Sequence, residues 1–447
     1  MATLLRRLGT FDAALIVMGG IVGSGIFMNP SVVARRVHEP ALVMAVWIAG
    51  GAIALLGAFV FAELAARRPA DGGLYAYMRD AFHPAVAFAY GWTLLLVSQS
   101  GGMAAAAVTF SIYFTPLTGL HAAAPVLAIA LLSVLTLINC LGVRQGSNVQ
   151  NAFMVLKVAA IGGLIAVGLF AHPSATAAIP VSGFNTQFKL LVVLGAAMIP
   201  VLFSYSGWQT SSFMTAELKN PAKTLPLGMI WGVTGVVVLY LLVNLVSLHV
   251  LGATGLMRTN TPASAVMTIA LGPVGGRLIA IAVALSTLGF LSNQILTSPR
   301  VYYAMAQDRV FFKQVAWVHP KTRVPVVAIV LQGIFAIAIA LSGRYDQILN
   351  YVTSVDYVFF TLAAIALFVF RRRDASDGTD SAVGYKVPGH PVSTAVFLFV
   401  AAAVVLDTWI AYPSNSLIGL GILLTAIPVY FIWARRPARA IPEPPNR

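Results

Sequence analysis

The sequence predicts an all-α membrane protein of about twelve transmembrane helices, arranged as a 5+5 inverted repeat with the first and sixth helices broken. Three observations lead there. Of the 447 residues, 59% are hydrophobic and only 9% are charged, too little polar surface to clothe a soluble globule of this size. The apolar residues fall into repeated blocks, such as 41–62 and 230–251, that are long enough to cross a hydrocarbon core of about 30 Å. Two of these blocks, the first and the sixth, are interrupted near mid-depth by glycine and serine, as a duplicated five-helix unit requires. Segments of roughly ten alternating residues, the mark of a membrane β-barrel, are not seen.

The spans are expected at about 11–36, 41–66, 83–115, 124–142, 148–171, 188–216, 226–251, 275–306, 325–342, 347–370, 393–411 and 415–434. Residues 1–370 then form a ten-helix core of two repeats, about 11–171 and 188–370. Residues 371–392 form a loop, 393–434 the last two helices and 435–447 a tail. The formal charge of +14 does not sit on one surface, so it does not point to nucleic acid. With the amino terminus inside, twenty-one Lys and Arg fall on the cytoplasmic side. Five, Arg35, Arg36, Arg258, Arg277 and Arg344, fall opposite, and Lys157 and Lys189 lie in or at the start of spans. That asymmetry puts both termini and the 371–392 loop in the cytoplasm.

The first break reads Gly19-Gly20-Ile21-Val22-Gly23-Ser24-Gly25-Ile26-Phe27, and the second reads Phe203-Ser204-Tyr205-Ser206-Gly207-Trp208-Gln209. Consecutive glycine and serine let the backbone leave the helix. In hydrocarbon the released groups are tolerable only against a polar cavity or a ligand. Amides that begin the outer half-helix, at Ser24, Gly25 and Ile26, combine with the positive end of its dipole to suit a carboxylate. Carbonyls near Ile21, Val22, Phe203 and Ser204 suit an ammonium. The two sites together describe the backbone of an α-amino acid.

Lys157 lies about nine residues, or about 13 Å, into the fifth span, deep for an unneutralised charge. Asp356 in the tenth span is the second buried charge; a backbone break, an outer gate and a proton are its candidate partners. Glu63 and Glu217 close helix ends on the cytoplasmic side, where salt bridges with Arg or Lys are expected. The seven histidines are scattered without metal-ligand spacing, and Cys140 stands alone. No G-x-x-x-x-G-K-[ST] run is present, so neither direct ATP coupling, nor an enzyme, nor a resident metal or cofactor is expected.

At these breaks the sequence resembles the L-amino-acid transporter branch of the amino acid/polyamine/organocation superfamily. Gly20 to Phe27 with Pro30 is similar to its first-helix signature. Tyr205-Ser206-Gly207-Trp208 with Glu217, Asn220-Pro221 and Leu225-Pro226 is similar to its sixth. Leu285 to Gly289 and Thr297-Ser298-Pro299-Arg300 resemble its eighth. The resemblance implies the LeuT-like fold and alternating access. It places a substrate carboxylate on Ser24, Gly25 and Ile26, with Gly23 in the same turn, and the amino group on the backbone of Ile21 and Phe203. Val22, Ser204, Tyr205 and Ser206 complete the expected site. Phe203 is then the lid and Trp208 the brace of the unwound turn.

A lysine matching Val155-Leu156-Lys157 sits where sodium-coupled relatives bind an ion, near the first break and Ser292. The resemblance therefore implies sodium-independent exchange or uniport of neutral L-amino acids, with proton symport or carriage of cationic amino acids or polyamines as the alternative. Gln209 and Asp356 depart from the family pattern, which leaves side-chain specificity open. The loop after the third helix, about 115–124, lacks the cysteine that joins mammalian members to a glycoprotein. A self-sufficient carrier of a bacterial inner membrane follows, with lipid and substrate as its partners.

Overall fold

The structure, a computed structural model, describes residues 9–69, 72–119, 124–141, 146–172, 187–322, 324–342, 345–380 and 383–434. Sixteen α-helices follow in chain order: α1 (Thr10–Ile21), α2 (Gly25–Val37), α3 (Pro40–Arg67), α4 (Leu74–Ala81), α5 (Pro84–Thr93), α6 (Gln99–Thr118), α7 (Ala124–Cys140) and α8 (Gly146–Phe170). The second half holds α9 (Gln187–Tyr205), α10 (Pro221–Arg258), α11 (Pro262–Thr297), α12 (Pro299–Gln307), α13 (Val326–Ser342), α14 (Tyr345–Ser376), α15 (Val392–Ala411) and α16 (Pro413–Ala434). No strand occurs among the described residues.

Among the described residues, eight helices or continuous helical runs are long and apolar enough to cross a membrane, and the bent pair α1 and α2 makes nine. Three shorter apolar helices, Pro125–Cys140, Val155–Phe170 and Val326–Leu341, stand where the fourth, fifth and ninth spans are expected. Large apolar side chains such as Leu141, Phe170, Trp231, Phe399 and Ile410 are exposed on the outer faces. A surface as apolar as the interior is what hydrocarbon solvates, and all-helical backbone is what it permits. The protein is a multi-pass membrane protein of LeuT-like helical fold.

Several elements differ from the sequence expectation for local reasons. A short amphipathic helix, α4, precedes the third span, and positive-φ glycines at 72 and 73 turn the chain into it. The third span is α-helical on both sides of a π-helical turn, Leu94–Ser98. The seventh and eighth spans run on as helix to Arg258 and back from Pro262, bent at Gly252 and Gly272, both with positive φ. The inner part of the sixth span is a 3-10 helix, Trp208–Glu217. Finally, α14 continues to Ser376, into the stretch read from sequence as loop. The termini, including the 435–447 tail, lie outside the described residues.

α3 and α10 pack together, α1 lies on α10, and α2 lies on α9, so spans one, two, six and seven form one packed unit. α11 packs against α6 and α8 on the other side of the breaks. Where α3 and α14 end, a charge network ties the first side to the second. Arg67 donates to Glu63, to Asp374 at 2.6 Å and to Asp380 at 2.7 Å. Glu63 also accepts both guanidinium donors of Arg371 and the Val387 amide. The Arg67 and Glu63 side chains are fully buried, so the sequence expectation of a salt-bridged Glu63 holds. The Glu217 side chain lies outside the described residues.

Arg67→Met is therefore expected to destabilise the fold by about 3–5 kcal/mol, because it strips a buried cation from three carboxylates. The measurement is the melting temperature in detergent, and an unchanged value overturns the assignment. Lys386 and Arg67 hold the Asp380 carboxyl down at about 2. A depressed folded-state value gives stability that is present above the ordinary carboxylate range and lost only as pH falls towards 2. This contact is thus insensitive to pH across the neutral range.

Candidate functional site

α1 ends because Val22 takes a non-helical ψ of 84° after the Gly19-Gly20 pair, and α2 restarts at Gly25 with a bend of 46°. α9 ends at Tyr205, and Gly207 at φ 119° turns the chain into the 3-10 helix, a conformation glycine adopts at little cost. The two breaks touch. A Cβ added to Gly20 would lie 2.5 Å from Thr210 Oγ1 and 2.9 Å from the Gly207 carbonyl oxygen. One added to Gly25 would lie 2.6–2.8 Å from Ser204 Oγ, Cα and Cβ. Only glycine allows the half-helices to approach this closely.

Proline supplies the rest of the join. Pro200 has no N–H, so the Ala196 carbonyl one turn earlier has no helical donor. Arg36 of α2 donates to that carbonyl. The Pro200 carbonyl accepts from Asn29 Nδ2 at 2.8 Å, and Asn29 also donates to Ser204 Oγ at 2.7 Å. Tyr345 of α14 donates to Asn29 Oδ1 at 3.3 Å. The outer half-helices α2 and α9 are thus held together through buried polar contacts.

A cavity lies between the breaks, with about 480 Å³ of empty space that includes its opening to solvent. From the expected set, Ile21, Gly23, Ser24, Gly25, Phe203, Ser204 and Ser206 line it. The amides that begin α2 lack intrahelical partners by their position. Val22 and Ile26 are buried but do not line the cavity. Tyr205 does not line it either. Its ring packs against Trp47 and Tyr240, because the helix rotates it to the face opposite Ser204 and Ser206.

Lys157 is buried, and its Nζ donates to the Val22 carbonyl at 2.9 Å. The ammonium also sits 5.8 Å from the centre of the Phe290 ring, within range of a cation–π contact. The eighth-span residue beside it is Phe290. Ser292, expected there, is partly exposed and does not line the cavity. The neighbouring Ile21 carbonyl accepts from the Tyr240 hydroxyl at 3.2 Å. A carbonyl turned out of the helix at the first break is therefore met by the buried Lys157 side chain.

Phe203 is half-buried at the cavity wall, where a ring can cover an occupant. Trp208 is fully buried outside the cavity, between Phe61 at 6.3 Å and Phe360 at 5.3 Å. It packs beside the turn that follows the second break. Asp356 reaches the cavity, and Ser98 lines it too. Six lining residues were not anticipated: Ser98, Gln99, Gly102, Phe290, Gln294 and Val352. Ser98 and Gln99 lie at the π-helical turn, which nothing in the sequence marks. One extra residue per turn rotates Ser98 and Gln99 towards the cavity, and Ser100 Oγ stabilises the turn by donating to the Leu95 carbonyl five residues back.

A family model described as amino acid permease matches residues 8–433. The serine/threonine exchanger SteT of Bacillus subtilis is 29% identical over 446 residues, covering 97% of this chain and 98% of its own. The b(0,+)-type amino acid transporter 1 of Rattus norvegicus is 27% identical, with 98% of this chain and 91% of its own covered. The large neutral amino acids transporter small subunit 2 of Homo sapiens is 29% identical, with 97% and 82% covered.

Proposed function

Because the chain belongs to the amino acid permease family and is a transporter, not an enzyme, we propose that it carries neutral L-amino acids across a bacterial inner membrane without sodium. The mode is exchange or uniport by alternating access. The observation that carries this reading is the cavity between two helix breaks with the Lys157 ammonium on the Val22 carbonyl.

The amides of Ser24, Gly25 and Ile26 receive the substrate carboxylate at the positive end of α2. The backbone at Ile21 and Phe203 receives the ammonium, and the Phe203 ring closes over the occupant. Lys157 supplies from within the protein the positive charge that a bound cation would bring to the break, so the site needs no sodium to form. The packed unit of spans one, two, six and seven moves against the rest, carrying both breaks together. The orientation has both termini cytoplasmic, and no disulfide-linked subunit is needed. The division into a core at 1–370, with repeats at 11–171 and 188–370, and an accessory pair of helices belongs to the same proposal.

Purified protein in liposomes loaded with unlabelled neutral amino acid is expected to accumulate the labelled one with choline replacing sodium. The measurement is counterflow in the two salts with and without a pH gradient. A strict need for sodium removes the Lys157 argument. A strict need for the proton gradient favours the alternative in which Asp356 couples protons.

A further inference from the structure

We propose that a cleft between α6 and the start of the eighth span, headed by Arg277, binds one phosphatidylglycerol molecule through its phosphate. The cleft lies at the end of the bundle opposite the Arg67 network, the outer end in the orientation proposed above. It shares no lining residue with the cavity between the breaks. The inference does not depend on which substrate is carried.

Most basic residues at this end of the bundle are accounted for. Arg35 donates to the Met257 and Thr259 carbonyls and to Asn260 Oδ1, each at 3.2 Å. Arg36 donates to the Ala196 carbonyl and lies over the Tyr412 ring. Arg258 occupies the last turn of α10, where the helix carbonyls favour a cation. Arg344 lies outside the described residues. Arg277 is different. It is exposed on the helix face that also carries Val274, Leu278 and Ile281, all exposed. Among the described residues it makes no ion pair or hydrogen bond. A guanidinium set among apolar side chains at the edge of hydrocarbon needs an anion, and lipid phosphate is the anion a bilayer holds at that level.

The cleft that Arg277 lines has about 620 Å³ of empty space, its mouth included. Ile112, Pro116 and Leu117 of α6 face Ala280 of α11 and give it apolar surface suited to an acyl chain. Thr261 and Thr268 add hydroxyls. Thr268 Oγ1 donates to the Ser264 carbonyl at 2.7 Å, so its lone pairs stay free to accept. No Asp or Glu lines the cleft among the described residues. An ethanolamine or choline head would therefore bring a cation beside Arg277 with no carboxylate to meet it, whereas a glycerol head brings hydroxyls that Thr261 and Thr268 can bond. The lipid also has a mechanical consequence. Gly252 and Gly272, both with positive φ, frame the segment 253–271 that bears the two threonines, and Arg35 ties its turn to α2. A lipid seated in the cleft braces that segment against α6.

The test is native mass spectrometry of delipidated full-length protein in detergent, titrated with dioleoyl phosphatidylglycerol, with dioleoyl phosphatidylethanolamine, and with glycerol 3-phosphate as the free anion. The first phosphatidylglycerol is expected to bind about tenfold or more tightly than phosphatidylethanolamine. That preference should be lost in Arg277→Gln and kept in Arg258→Gln, which removes an exposed charge outside the cleft. Equal preference in wild type and Arg277→Gln overturns the site. Equal loss in both variants reduces it to the charge of that surface and overturns it too. Displacement of the lipid by an equal concentration of glycerol 3-phosphate assigns the cleft to a soluble anion and overturns the lipid. Phosphatidylglycerol should also raise the melting temperature of wild type more than that of Arg277→Gln, and equal shifts overturn the brace. Because these readouts are binding and melting, a failure of amino acid counterflow leaves them intact.

Discussion

Gly25→Val is expected to abolish substrate binding, measured by equilibrium binding of labelled amino acid to purified protein. The added Cβ alone would come within 2.6 Å of Ser204 Oγ and 2.7 Å of Ser204 Cα. The second atom is backbone, so no rotamer change relieves the overlap. Overpacking of this kind costs about 1–3 kcal/mol when the surroundings can shift. Here the shift separates α2 from α9 and moves the amides proposed to hold the carboxylate. Since each 1.4 kcal/mol is about tenfold, and both the geometry and the space of the site are lost, the expected fall in affinity exceeds about a hundredfold. Gly163→Ala is the matched control, because a Cβ there meets nothing within 4 Å. Retained affinity in Gly25→Val removes the carboxylate assignment.

Lys157→Met should lower transport by about tenfold or more while the protein stays folded. The substitution keeps length and apolar stem but removes the donor that meets the Val22 carbonyl at 2.9 Å. Leaving one buried acceptor unsatisfied costs about 1–3 kcal/mol. It also withdraws the charge facing the first break. Removing a charge that is buried without a carboxylate partner relieves desolvation, so the melting temperature is not expected to fall with activity. Initial rates of counterflow and a thermal melt, taken on the same preparation, separate the two effects. Unchanged rates reduce Lys157 to a structural contact with the Val22 carbonyl.

The breaks were legible because glycine and serine in the middle of an apolar span have few other uses, and they recur at the first and sixth positions. Lys157 was legible because one ammonium at that depth needs a partner. Both inferences concern a single element at a time. Tyr205 shows the limit. Its place in the break is plain from the sequence, yet whether its ring points to the cavity or to Trp47 depends on the rotation of α9, which Asn29 and Arg36 help to set from α2. The same holds on the eighth span, where Phe290 is the side chain beside Lys157 Nζ.

The far wall was the least legible part. Ser98 and Gln99 sit in an ordinary-looking stretch of the third span, and only the π-helical turn at Leu94–Ser98 brings them into the cavity. No composition signal separates that turn from regular helix. Gln294 meets Gln99 across 195 positions of sequence. The network around Arg67 is similar: Glu63 was expected to find a basic partner, but Asp374, Asp380 and Arg371 lie more than 300 positions away.

The sequence by itself determined the solvent, the helical class, the two unwound segments and the presence of a buried cation. Those follow from local composition, because hydrocarbon forbids unpaired backbone and isolated charge wherever they occur along the chain. Only the tertiary structure decided which faces meet. It placed Ser204 against Gly25, set Lys157 on Val22, and brought Gln294 and Asp356 to the cavity wall. The physical reason is that a helix presents every side chain somewhere around its circumference, and rotation about its axis is fixed only by the helices packed on it.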